Sequence, residues 1–235
     1  MRSNCVVASI LFVLSATMSW GVEPAATATP SEPPLAPGLT IKDQTTIDAP
    51  VNLLTVASAT NADGTVNVIV EIPSGTNAKW EVKEDGQLRW DIKDGKPRVV
   101  KYLGYVGDYG MVPRTKQGDG DPIDILLLAP AYARGTLLPV RVIGAALFNS
   151  ENEQDNKLLA VVPGTPLGNL TSLRELEEQF PGVSDIVRIW FEHYKGTKNA
   201  LVFKGMAEKE DAMKLVKDAE TLYEKEQAAK KPAGQ

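Results

Sequence analysis

Gly118-Asp119-Gly120-Asp121-Pro122-Ile123-Asp124 sets three carboxylates within six residues, directly ahead of the apolar run Ile125-Leu126-Leu127-Leu128. Gly favours turns and Pro lacks the N–H that a helix needs, so the segment is expected to turn into a buried strand. Carboxylates crowded in this way repel one another and need a positive partner. Hard divalent cations take oxygen ligands, and Mg²⁺ is held by a few carboxylates together with waters and substrate phosphates. The same residues are also good turn formers, because Asp bonds its own backbone and Gly supplies positive φ. Spacing alone leaves a solvated turn and a metal site both open. A calcium EF-hand loop does not fit: counted from Asp119, Asp124 and Pro130 stand where that loop needs Gly at the sixth place and Glu at the twelfth.

Other chemistries lose support by elimination. The chain has no HExxH, no paired Cys/His spacing, no GxxxxGK loop and no GxGxxG turn, which argues against zinc, P-loop and dinucleotide chemistry. His193 is the single histidine, and without a Gly-x-Ser-x-Gly turn a Ser-His-Asp hydrolase is disfavoured. Carboxylate, lysine, arginine and tyrosine chemistry remains, and those types recur in pairs. Glu71 closes one expected strand, while Lys79 and Glu81 lie two apart and so share a strand face. Tyr105 and Tyr109 precede the Asp cluster, Asp155 and Lys157 are again two apart, and Tyr194-Lys195 close an expected helix. Singly each is an ordinary surface charge or half-buried tyrosine. Together they offer acids for metals, and Lys, Arg and Tyr for the oxygens of an anionic substrate.

These residues need elements to position them. The pattern predicts strands over residues 66–72, 99–103, 123–128, 137–147 and 157–162, a hairpin over 79–92, and a possible strand at 201–203. Ser172-x-x-Glu175 is a capping box that opens a short helix to Phe180; further helices are predicted over 183–195 and 207–229. Short β segments separated by turns suggest an antiparallel barrel with helices packed around it. The predicted fold class is α+β, mainly β.

At 235 residues with net charge −5, the chain could bury a sizeable core and lacks the basic surplus of a nucleic-acid protein. Residues 1–21 resemble a secretory signal, with Arg2 ahead of an uncharged apolar stretch and small residues at 19–21; an uncleaved anchor is the alternative. Residues 22–39 are rich in Pro, Ala and Thr and are expected to be a linker, leaving one domain over 40–230. Cys5, the only cysteine, falls inside the signal, so the mature chain would hold no disulfide or thiolate site.

Glu71-Ile72-Pro73, Lys79-Trp80-Glu81, the run from Gly104 to Gly110, the cluster from Asp119 to Asp124, Asp155-Asn156-Lys157 and Phe191-Glu192-His193-Tyr194-Lys195 resemble the ordered motifs of family I soluble inorganic pyrophosphatases. The resemblance implies an OB-like five-stranded antiparallel β-barrel with peripheral helices, Mg²⁺ dependence and hydrolysis of pyrophosphate to two phosphates. By the same resemblance Asp119, Asp124, Asp155 and Glu71 would hold metal, and Asp121 would orient or deprotonate the attacking water. Lys79, Tyr105, Lys157, Tyr194 and Lys195 would hold phosphate oxygens, with Glu81 and Tyr109 supporting the site, and Arg98 is assigned beside them from outside the pattern. A homo-oligomer exported to the periplasm or medium is expected, with no nucleic-acid partner and no membrane association after signal cleavage.

The chain departs from the family pattern at two points. Ser150 stands where the pattern has an Asp, with Glu151 and Glu153 beside it. The Arg that should follow the hairpin strand is replaced by Ile92, and Arg98 would restore the charge from a longer segment. A related phosphohydrolase for another small phosphorylated substrate and a non-catalytic phosphate-binding barrel are the alternatives.

Overall fold

The computed structural model describes residues 33–150, 153–197 and 200–230. The expected signal at 1–21 and Glu151 lie outside them. Thirteen strands and three helices follow in order. β1 (Thr40–Asp43) and β2 (Thr46–Asp48) precede β3 (Val66–Ile72), then come β4 (Trp80–Val82), β5 (Leu88–Trp90), β6 (Ile92–Lys93) and β7 (Lys96–Pro97). The chain continues through β8 (Asp108–Met111), β9 (Asp124–Leu127), β10 (Leu137–Ser150), β11 (Glu153–Gln154) and β12 (Lys157–Val161). The last elements are α1 (Leu173–Gln179), α2 (Val183–His193), β13 (Val202–Glu208) and α3 (Lys209–Lys230).

Five strands close a barrel: β3 pairs β8, β8 pairs β9, β9 pairs β12, β12 pairs β10, and β10 returns to β3. The expected five-stranded barrel is therefore present, with one correction. β9 and β12 run parallel, while the other four pairings are antiparallel. Parallel neighbours need a long connection, and here the 14-residue β10 makes it, crossing between β9 and β12 in sequence.

Both faces of these strands are covered, which is why β9 and β12 read as continuous apolar runs rather than alternating ones. Ile125, Leu127, Leu158 and Ala160 join one core with Ala212 and Val216 of α3. Leu126, Leu159 and Val161 join another with Val187, Trp190 and Phe191 of α2. Ser172 caps α1 as expected, its Oγ accepting the Glu175 N–H at 3.2 Å. Among the described residues no helix is long and apolar enough to cross a membrane.

Three local expectations change. Residues 99–103 do not form a strand beyond an isolated bridge from Val99 to Ala78. Side chains take the carbonyls instead: Asn77 donates to Val100 and Tyr102, and the Trp190 indole donates to Leu103. β8, which the sequence does not announce, is wholly buried despite its Asp and Gly. Gly110 is required there, since a Cβ would lie 1.9 Å from the Ile69 carbonyl oxygen on the adjacent strand. Finally, the expected linker is described only from residue 33, and there it pairs with the domain: the Ala36 N–H donates to Arg134 at 2.8 Å and the Arg134 N–H to Pro34 at 2.9 Å.

Asp108, at the start of β8, ties two loops together. Its fully buried carboxylate accepts the Ser74 N–H at 2.7 Å and the Tyr132 N–H at 2.8 Å. Burial outweighs those hydrogen bonds and lifts its pKa to about 6. A carboxyl with a raised folded pKa contributes stability that is fully present below the unfolded value and is lost as pH rises through the folded one. Asp108 should therefore cost the fold up to roughly 3 kcal/mol between about pH 4 and pH 6. Denaturant unfolding across that window, wild type against Asp108→Asn, should show this component only in the wild type. Parallel pH curves would refute the assignment.

Candidate active site

The site lies where the ends of these elements meet, and strand register explains most of it. Lys79 and Glu81 flank Trp80, whose ring turns the other way and stacks on Trp90 with centroids 5.4 Å apart. In the parallel β9/β12 ladder Lys157 stands opposite Asp124. The ammonium of Lys157, 2% exposed, consequently bonds both Asp124 and Asp155. Lys195, just beyond α2, approaches Asp155 at 3.4 Å. Glu71, near the end of β3, is buried and accepts the Val82 N–H at 2.6 Å. Glu81 is bracketed by Lys79 and Lys83.

The Asp-rich segment is a turn as well as part of the site. The Asp119 carboxylate accepts the Asp121 N–H at 3.0 Å, and Gly120 sits at φ 98°. The turn chemistry thus holds the loop that presents these carboxylates to the cavity.

One cavity of about 420 Å³ gathers nearly every predicted residue: Glu71, Lys79, Glu81, Arg98, Tyr109, Asp119, Asp121, Asp124, Asp155, Lys157, Tyr194 and Lys195. Tyr105 is the exception. It is buried beside the wall, its ring 5.1 Å from Tyr109 and 4.5 Å from Trp190, and near enough to the site for Asp124, Lys157 and Arg98 to act on its hydroxyl. Arg98 does reach the cavity, and its guanidinium bonds Asp91 at 3.0 Å. Ser150 is on the wall as well, paired in register with Glu153. Lys83, Lys93 and Glu153 also line it and were not predicted. Lys83 extends the alternation from Lys79 and Glu81, a signal available in the sequence; Lys93 and Glu153 resemble surface charges. The exposed His193 takes no part in the wall.

Seven carboxylates face six cationic side chains across this cavity, and burial and neighbouring charge displace four of the acids in opposite directions. Burial works against ionisation of Glu81, but Lys79 and Lys83 overcome it and hold its pKa at about 2. Burial is likewise overcome at Asp155 by Lys157 and Lys195, which lower its pKa. Asp121 goes the other way: partial burial raises it, with the like charges of Asp119, Glu81 and Asp124 adding to the effect. Burial drives Glu71 well above the ordinary range, only partly offset by the Val82 N–H. Tyr109 and Tyr194 are raised by burial and stay protonated as O–H donors. Lys157 is raised because its two carboxylates outweigh desolvation. Among the described residues no three Asp, Glu or His side chains close on a single point.

A sequence profile described as inorganic pyrophosphatase matches residues 68–224. The chain belongs to the inorganic pyrophosphatase family. It is 31% identical over 156 residues to the mitochondrial inorganic pyrophosphatase of Saccharomyces cerevisiae, covering 56% of this chain and 50% of that protein. The inorganic pyrophosphatase of Kluyveromyces lactis is 30% identical over 193 residues, covering 71% and 67%. The chain spans about half the length of the Saccharomyces and Drosophila melanogaster relatives. Among solved structures, the type I inorganic pyrophosphatase of P falciparum superposes with a TM-score of 0.70 at 26% identity, over 80% of this chain and 67% of that one. The Thermus thermophilus inorganic pyrophosphatase gives 0.66 at 28%, over 74% and 99%. Within this pyrophosphatase-family domain, the profile spans the cavity wall from Glu71 to Lys195.

Proposed function

We propose that this protein hydrolyses inorganic pyrophosphate to two phosphates with the help of a divalent cation, Mg²⁺ above others. One observation carries the reading: a single cavity in a pyrophosphatase-family barrel unites Asp119, Asp121, Asp124 and Asp155 with Lys79, Arg98, Lys157, Tyr194 and Lys195. The donor set suits a hard cation, being all carboxylate oxygen, and burial together with the like charges of Asp119, Glu81 and Asp124 raises the pKa of Asp121, a cost that a cation would relieve. Asp119, Asp124 and Asp155 would bind the principal cations and Glu71 another through water. No three of these side chains close on one point, so water and substrate oxygens would complete each site. When bound, such a cation acidifies water and draws charge from phosphate oxygens.

The chain's own residues supply the rest. Asp121 is a stronger proton acceptor than an ordinary carboxylate, which suits it to take a proton from the attacking water. Lys79, Arg98, Lys157 and Lys195 place positive charge around the substrate's oxygens, and the Tyr194 O–H adds a neutral donor. Tyr109 packs beneath Lys157, its ring centroid 5.8 Å from the ammonium, and helps keep that charge in place. Export through residues 1–21 and a homo-oligomeric state belong to the same reading.

Phosphate release measured with Mg²⁺ from pyrophosphate and from simple phosphate esters tests it. Turnover selective for pyrophosphate is expected. Turnover of esters instead, or pyrophosphate binding without release, would replace the reading by one of the two alternatives.

A further inference from the structure

Residues 116–122 carry Asp119 and Asp121 on a short loop that is closed at its neck and tied within itself. The buried Thr115 hydroxyl accepts the Ile123 N–H at 3.0 Å and donates to the Val112 carbonyl at 2.7 Å. Inside the loop, the Gln117 N–H donates to the Asp121 carbonyl at 2.8 Å and the Gly120 N–H to the Gln117 carbonyl at 3.1 Å. A loop tied in this way moves as one piece about its neck. A contact on its flank therefore fixes the direction in which it presents its carboxylates.

Lys116 makes that contact, and makes it twice, with α3. Its N–H donates to the Ala219 carbonyl at 3.0 Å, and its ammonium bonds Glu226. Ala219 and Glu226 are two helical turns apart, about 10 Å along one face of the helix. That helix is a fixed reference, since Ala212, Val216 and Ala219 are buried in the core. Lys230, one turn further on, bonds the other Glu226 oxygen at 2.6 Å. On either side of Lys116 the loop and α3 stand apart. A cavity of about 900 Å³ lies between Asp121 and Tyr223, and one of about 390 Å³ between Asp119 and Leu222. Among the described residues Lys116 alone hydrogen-bonds the loop to α3.

We infer that Lys116 and Glu226 are positioning residues for Asp119 and Asp121: the pair clasps the carboxylate loop to α3 and so raises the affinity of the site for its divalent cation. This rests on the pyrophosphatase reading and concerns residues that touch neither cation nor substrate in it. Neither lines the cavity of the site, and Glu226 lies beyond residue 224, where the match to the inorganic pyrophosphatase profile ends. A clasp differs measurably from a direct influence of the two charges. As separate charges they would act in opposite senses, because an ammonium repels a cation and a carboxylate attracts one. As a clasp, loss of either charge frees the same loop, so both losses weaken cation binding.

Calorimetric titration of the full chain with Mg²⁺, without pyrophosphate, tests this in the wild type, Lys116→Met, Glu226→Gln and the double variant. Each single change should raise the Mg²⁺ dissociation constant about fivefold, the upper range for a partly exposed ion pair. The double variant should bind no more weakly than either single one, because the two changes break one contact. The Mg²⁺ concentration for half-maximal pyrophosphate hydrolysis should rise in step. Opposite shifts in the two single variants would reduce the pair to separate charges, and additive losses in the double variant would deny that they act together. A lower unfolding midpoint with unchanged Mg²⁺ affinity would make the pair structural only. Each of these results overturns the clasp. Absence of pyrophosphate turnover in the wild type would instead overturn the reading beneath it, with the Mg²⁺ titration still deciding the clasp.

Discussion

Asp121→Asn should lower kcat for pyrophosphate hydrolysis by at least about 100-fold at saturating Mg²⁺, the low end of what a positioned general base contributes. The change keeps the shape of the side chain and removes its proton-accepting charge. It should not unfold the protein. Asp121 has a raised pKa because burial and the charges of Asp119, Glu81 and Asp124 all oppose its ionisation. Removing a charge from such a place relieves repulsion, so the unfolding midpoint of the metal-free variant should equal or exceed that of the wild type. Steady-state assays and thermal unfolding on the same preparation separate catalysis from folding. Activity within tenfold of wild type would remove Asp121 from the proposed role.

Such opposed effects on activity and stability are what a site chosen for charge rather than packing should give, and they bear on how much of it could be read from sequence. β3 and α3 announced themselves by periodicity, and Lys79-x-Glu81 and Asp155-x-Lys157 by strand alternation, because each depends only on local spacing. The parallel pairing of β9 with β12 was not visible, since it depends on the course of β10 between them. β8 was missed for a different reason: Asp and Gly are disfavoured in strands, yet Asp108 is there to bond two loops and Gly110 to let two backbones approach. Residues 99–103 were misread because apolar alternation says nothing about carbonyls satisfied by Asn77 and Trp190. Arg98 reaches the cavity because the additional length folds outward as a two-residue hairpin and returns the chain to its base. Lys93 rides on that hairpin, and no local pattern distinguishes it from an ordinary surface lysine.

Lys157→Met should strongly destabilise the metal-free protein. The lysine is 2% exposed and its ammonium bonds Asp124 and Asp155 together. Methionine keeps the length and apolar stem but leaves two carboxylates facing one another with Lys195, 3.4 Å from Asp155, as the remaining close cation. Breaking a buried pair costs ~3–5 kcal/mol. Because Asp124 and Asp155 retain 26% and 17% side-chain exposure, the lower end, about 3 kcal/mol, is the reasonable figure. A divalent cation that binds the folded carboxylates stabilises in proportion to RT ln(1 + [L]/Kd). Freed from the ammonium, Asp124 and Asp155 should hold Mg²⁺ more tightly, so Mg²⁺ should raise the denaturation midpoint of the variant more than that of the wild type. Hydrolysis should still fall by at least about 100-fold, since a charge aimed at phosphate oxygens is gone. Urea unfolding with and without Mg²⁺ reads both stability effects. A variant as stable as wild type without Mg²⁺ would mean that the two carboxylates do not depend on Lys157. An equal Mg²⁺ increment in both proteins would mean that they do not bind the cation.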